Sequence, residues 1–184
     1  MSPAEQHAHD AAQFTALVES AGPDDWDRPS PVQEWTARGV VEHLIEWLPG
    51  FLERTGVSLP SVDTRDLPAA WRQRANDVQQ LLETQGDVEF ESPMFGRTTI
   101  ASAIDRFYTA DVWMHSWDLG RALGQHPDLG EQRCANALAG MEPMEQVLRD
   151  SGQFGQRVDV PDDASAQDRF IGFIGRDPYW EPSR

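Results

Sequence analysis

Apolar residues recur at three- and four-residue spacing along most of this chain, the signature of amphipathic helices. The first run is Ala11, Phe14, Leu17, Val18 and Ala21. Ser2 suits its N-cap and Pro3 its first position, and Glu5 completes a capping box. Turn chemistry from Gly22 to Trp35 follows. Thr36 is placed to cap a second helix carrying Val40, Val41, Leu44, Trp47, Leu48, Phe51 and Leu52. Pro49-Gly50 falls inside that run and is expected to kink or end it. Asp66 opens a third helix with Trp71, Ala75, Val78 and Leu82 on one face.

The stretch DVEFESPMFGRT, residues 87–98, alternates briefly and reads as short extended chain. Thr98 or Thr99 then opens the longest periodic run, to about Leu123, with Gly124 placed for a left-handed C-terminal turn. Asp128 and Glu131 form the pattern of a capping box before a fifth helix, expected to reach about Arg149. The tail, residues 151–184, reads as irregular, with one short helix near Ser165–Ile174. Several helices with short loops and no convincing sheet predict an all-α bundle with an additional helix and a short irregular C-terminal tail. At 184 residues the chain fits a single domain, 1–184, that buries about 70% of its unfolded surface.

Charge narrows the function classes. Fifteen basic against 31 acidic residues give a net charge of −16, which argues against nucleic acid and against an anionic membrane surface. No apolar run reaches the roughly 18–20 residues of a membrane span, and the start lacks a signal-peptide pattern, so the expected location is cytoplasmic. Every basic residue is Arg, which excludes a lysine Schiff base and a P-loop lysine. The single Cys134 rules out an internal disulfide and reads as a small buried residue.

Candidate chemistry lies on the fourth helix. Ile100, Ile104, Phe107, Tyr108, Leu119 and Ala122 define its apolar stripe, and Asp111, His115 and Asp118 fall inside that stripe. A carboxylate on a buried face is costly unless it is paired, protonated or bound to a metal. Asp111 and His115, four residues apart, face the same side and can reach one ion. His43, mid-helix at the edge of the second stripe, is the best third ligand; His7 and His9 lie near a terminus that tends to fray, and His126 in a loop. His43, Asp111 and His115 make an N₂O set that suits zinc foremost, with nickel, manganese or iron(II) also compatible. The competing reading of Asp111 and His115 is a helical side-chain pair with no metal. Asp118 has three readings: a pair with Arg121 one turn on, support for the ligands, or a general base. Arg74, on the flank of the third helix's apolar face, is the candidate to hold an anionic substrate or thiol; the alternative is an Arg snorkelling to the surface.

The segments SPVQEWTARGVVEHL and DVWMHSWDLGRALG resemble the DinB/YfiT-like superfamily of metal-binding helical bundles. Within it the chain is similar to the actinobacterial group related to the N-terminal metal-binding domain of mycothiol-dependent maleylpyruvate isomerase. The tail DDASAQDRFIGFIGRDPYW is similar to the end of that group's members, so the resemblance runs from about Pro3 to Trp180. It implies a DinB-like four-helix bundle with a divalent metal at one end of its core, held by His43, Asp111 and His115. The family's isomerase carries Glu where this chain has Asp111, whose arm is shorter.

The resemblance implies a transferase or isomerase in which the metal activates the thiolate of mycothiol, or a similar low-molecular-weight thiol, toward an electrophilic small molecule. The alternatives are a metal-dependent hydrolase, with Asp118 as general base, and a non-catalytic metal- or ligand-binding protein on the same fold. Bundles of this kind often pair through helix faces, which makes a homodimer one expected assembly.

Overall fold

A computed structural model describes residues 1–92 and 96–182 of the chain, apart from the side chain of Arg54. Helix α1 spans Pro3–Ser20, α2 Ala37–Leu52 and α3 Leu67–Gln85. A two-stranded antiparallel hairpin follows, β1 (Glu89–Ser92) with β2 (Gly96–Thr99). The described parts of the alternating stretch are therefore paired strands, and the expectation for residues 93–95 lies outside the described residues. Next come α4 (Ile100–Ala103), a π-helical segment (Ile104–Thr109) and α5 (Ala110–Ala122), which run on without a break. Helices α6 (Glu131–Met141), α7 (Glu145–Asp150) and α8 (Ala166–Phe173) complete the order.

The architecture is all-α. Helices α1 and α2 each pack against both α3 and α5, so the four close a bundle with α1 diagonal to α2. Phe14, Val40, Leu44, Leu48, Trp71, Val78, Ile104, Tyr108 and Val112 fill its interior. A second apolar cluster joins Trp113 and Trp117 of α5 to Leu129, Cys134, Leu138, Phe170, Ile171 and Phe173. Helix α5 thus serves both clusters and is buried on nearly every side, as a helix between two cores must be. Burial pushes the Cys134 thiol up to about 12, which leaves it an inert core residue. No helix among the described residues is long and apolar enough to cross a membrane.

Local chemistry explains most boundaries. The Ser2–Glu5 capping box is formed, Thr36 and Asp66 cap α2 and α3 by accepting from Gly39 and Ala69 N–H, and Ser165 caps α8. Gly124, at φ +72°, ends α5 in a left-handed turn, with Gln125 N–H donating back to Gly120 O.

Two expectations need correction, and a third is narrowed. Of the two outcomes expected at Pro49, a kink or an end, the end does not occur, and helix α2 continues to Leu52. Proline removes the N–H that would bond Ile45 O, and the Arg74 Nε–H donates to that carbonyl instead, at 2.9 Å. The capping box at Asp128 and Glu131 is absent. Gly130, at φ +83°, opens α6, and the Glu131 carboxylate accepts from Ala166 N–H at the start of α8. The helix expected to reach Arg149 is broken by a 3₁₀ turn at Glu142–Met144, where Pro143 cannot donate to Ala139 O.

Candidate metal centre

Helix α2 presents His43 and α5 presents Asp111 and His115 into the angle between them, next to the π-helical segment. π-Helical turns re-phase the side chains that follow them and recur at functional sites. His43 Nε2 lies 3.0 Å from Asp111 Oδ2, and His115 Nε2 lies 3.4 Å from Asp111 Oδ1. One donor atom from each of the three lies within 4.8 Å of the others. Donors on one tetrahedral ion, at bonds of about 2.0–2.2 Å, stand about 3.3–3.6 Å apart, so the three side chains need only small shifts to close on a single small divalent cation. His43 is 31% exposed, Asp111 20% and His115 6%, so the cluster is reached from the His43 and Asp111 side.

Aromatic rings frame it. The Trp35 indole lies over both imidazoles, with its centroid 4.9 Å from His43 and 5.7 Å from His115. The loop that delivers Trp35 places Glu34 at φ +66°, a left-handed conformation that costs a non-glycine residue energy. Trp47 donates its indole N–H to Asp111 Oδ2 at 3.0 Å. Burial opposes the Asp111 charge, but His115, His43 and the Trp47 N–H outweigh it and hold the carboxyl below its usual range.

Asp118 stands behind His115. Its Oδ2 is 2.9 Å from His115 Nδ1, on the opposite side of the ring from Asp111. A carboxylate there fixes the proton on Nδ1 and turns the Nε2 lone pair toward the cluster. Asp118 is fully buried, and the Arg176 guanidinium meets both its oxygens, each at 3.3 Å. Burial opposes its charge as well, and Arg176 and His115 outweigh it, lowering the pKa. For His115 burial works against the cation, while Asp111 and Asp118 on either side outweigh it and raise the pKa.

The pairing of Asp118 differs from the expected Arg121. That arginine, itself buried, is engaged instead with Trp180 O, Glu181 and His126. Nothing in the sequence near Asp118 marks Arg176, which comes from 58 residues away. Arg74 is almost fully buried rather than snorkelling, with Nε on Ile45 O, Nη2 on Pro60 O and Nη1 3.8 Å from Asp77. These contacts engage it with backbone carbonyls and Asp77. His7, expected near a fraying end, is buried, with Nδ1 2.8 Å from Gln79 Oε1. Two surface concavities, one along Asp63, Arg65 and Gln73, the other along Glu142, Arg157 and Asp162, border none of the three candidate ligands.

Comparison with known proteins supports the relation that the sequence motifs suggest. Two uncharacterized proteins, from two strains of Mycobacterium tuberculosis, are each 28% identical over 190 residues, covering 94% of this chain and 96% of their own. No solved structure matches the chain. Residues 7–61, which include His43, match the family of the mycothiol maleylpyruvate isomerase N-terminal domain.

Proposed function

We propose that this protein binds one divalent cation, zinc foremost, through His43, Asp111 and His115. In this reading it uses mycothiol or a similar low-molecular-weight thiol in a transferase or isomerase reaction on an electrophilic small molecule. The observation that carries the proposal is the convergence of two imidazoles and a carboxylate from two helices on one partly exposed point. The family match over residues 7–61 supports the thiol. A divalent ion at such a site supplies Lewis acidity, which deprotonates a coordinating thiol near neutral pH.

The chain's own residues have separate parts in this reading. Asp118 keeps the Nδ1 proton of His115 in place and its Nε2 turned inward. Trp47 fixes one carboxylate oxygen of Asp111, which leaves Oδ1 toward His115. Trp35 covers both imidazoles and keeps bulk water off one side of the cluster. In this reading Arg74 serves the fold rather than the substrate: Nε and Nη2 hold Ile45 O and Pro60 O, while Nη1, without a hydrogen-bond partner among the described residues, faces Asp77 at 3.8 Å. The hydrolase reading needs a general base beside an open coordination position, and Asp118, with both oxygens engaged on the far side of His115, does not offer one. The proposal extends to a single domain over 1–184 in the cytoplasm.

Calorimetric titration of metal-loaded protein with mycothiol, beside a His43→Ala control, tests it. Micromolar, metal-dependent binding that the control loses is the expected result. Loaded protein that binds no thiol overturns the thiol-dependent reading and leaves a metal-binding bundle of another function.

A further inference from the structure

We propose that Arg176, in the C-terminal segment, is a positioning residue for the metal centre, acting through Asp118 to hold the His115 ring in its ligating orientation. The inference rests on the metal reading above and extends the site to a part of the chain far from it in sequence.

The C-terminal segment is built to deliver this one side chain. Helix α8 ends in a paired turn in which Gly175 N–H donates to Gly172 O and Arg176 N–H to Ile171 O. Gly175 sits at φ +88°, and a Cβ there would lie 2.6 Å from Gly155 Cα, so only glycine fits. The turn launches Arg176 back toward α5. Phe170, Ile171, Phe173 and Ile174 anchor the turn in the cluster that includes Trp113 and Trp117 of the same helix. The helix that carries Asp111 and His115 is therefore also the one the tail grips.

The Arg176 side chain is 12% exposed, and its donors are engaged. Nε and Nη2 face the two oxygens of Asp118, and Nη1 donates to Ile174 O at 3.1 Å. A two-pronged contact fixes the plane of the carboxylate, which a single charge would not. The carboxylate plane in turn sets where Oδ2 meets His115 Nδ1, at 2.9 Å. Without the guanidinium, a fully buried carboxylate loses the fixed cation that meets both its oxygens and is free to rotate or to draw in water. Partners of this kind behind a ligand commonly change metal affinity by about 10–100-fold.

The test uses cobalt(II) alone as the probe, with the affinity from chelator competition and the site geometry from the visible d–d spectrum. Arg176→Gln is expected to keep the parent far-UV circular dichroism, to weaken cobalt binding by about tenfold or more, and to alter the spectrum. Arg176→Lys, which reaches one carboxylate oxygen at a time, is expected to fall between the two. Gly175→Ala keeps the guanidinium in the chain but misdirects it, and is expected to weaken binding as well. A folded Arg176→Gln protein with the parent's affinity and spectrum overturns the proposal, whatever its melting temperature. Should that variant not fold, Arg176→Lys decides alone: affinity below the parent's supports the role, and parent affinity overturns it. A parent protein that takes up no cobalt overturns the metal reading and this inference with it, whereas cobalt uptake indifferent to Arg176 overturns the inference alone.

Discussion

Two carboxylates on buried helix faces, Asp10 and Asp111, have opposite surroundings. Asp10 on α1 is completely matched. Arg133 of α6 meets its two oxygens at 2.7 Å each, Gln6 donates to one of them at 3.0 Å, and the guanidinium lies 4.2 Å from the Trp113 ring centroid. A permanent cation closes the account of charge and geometry there, and the pair ties α1 to α6. Asp111 has two imidazoles and one indole N–H around it and, among its described contacts, no arginine. Imidazoles can give their lone pairs to a cation, which a guanidinium cannot. A buried acid alone therefore does not mark a functional site; the kind of group that answers it does.

Breaking the closed pair should have the largest effect on stability. Arg133→Ala leaves the Asp10 carboxylate buried without its cation, and is expected to cost about 3 kcal/mol in chemical denaturation. Cobalt uptake should stay that of the parent, because the loss falls on the α1–α6 contact and not on the ligands. A smaller loss is expected from Arg74→Met, which leaves Ile45 O unpaired beside Pro49, at about 1–3 kcal/mol. That variant should also bind cobalt normally, and weakened binding would return Arg74 to the site.

Acidity distinguishes the open cluster by sign. The His115 pKa is raised above its ordinary 6.5, so its contribution to the metal-free fold is full below that value and is lost as pH rises through the raised pKa. Asp111 and Asp118 are lowered below the ordinary 3.8, so their contributions are present above that value and are lost on acidification through their lowered pKa values. Metal must displace the His115 proton. Cobalt affinity is therefore expected to rise up to about tenfold per pH unit until the raised His115 pKa is passed, with one proton released per ion. Affinity that is flat from pH 6 to 8 would contradict the participation of His115.

Much of this was legible locally. Ser2, Thr36, Asp66, Ser165 and Gly124 announce helix ends because caps act over three or four residues. His43, Asp111 and His115 stood out because helical spacing alone puts Asp111 and His115 side by side within an apolar stripe. What escaped was set by contacts distant in sequence. The continuation of α2 through Pro49 depends on an arginine 29 residues away, and the pairing of Asp118 on one 58 residues away. No local pattern carries either. The break at Pro143 is different: its signal is local, because a proline inside an apolar period lacks the N–H that would continue the helix.

The central claim is that His43, Asp111 and His115 hold one ion, and elemental analysis of the purified protein beside a His115→Ala variant tests it most directly. The account predicts about one equivalent of divalent metal in the parent and almost none in a folded variant. Metal retained in full by the variant would contradict it and place the ion elsewhere in the molecule.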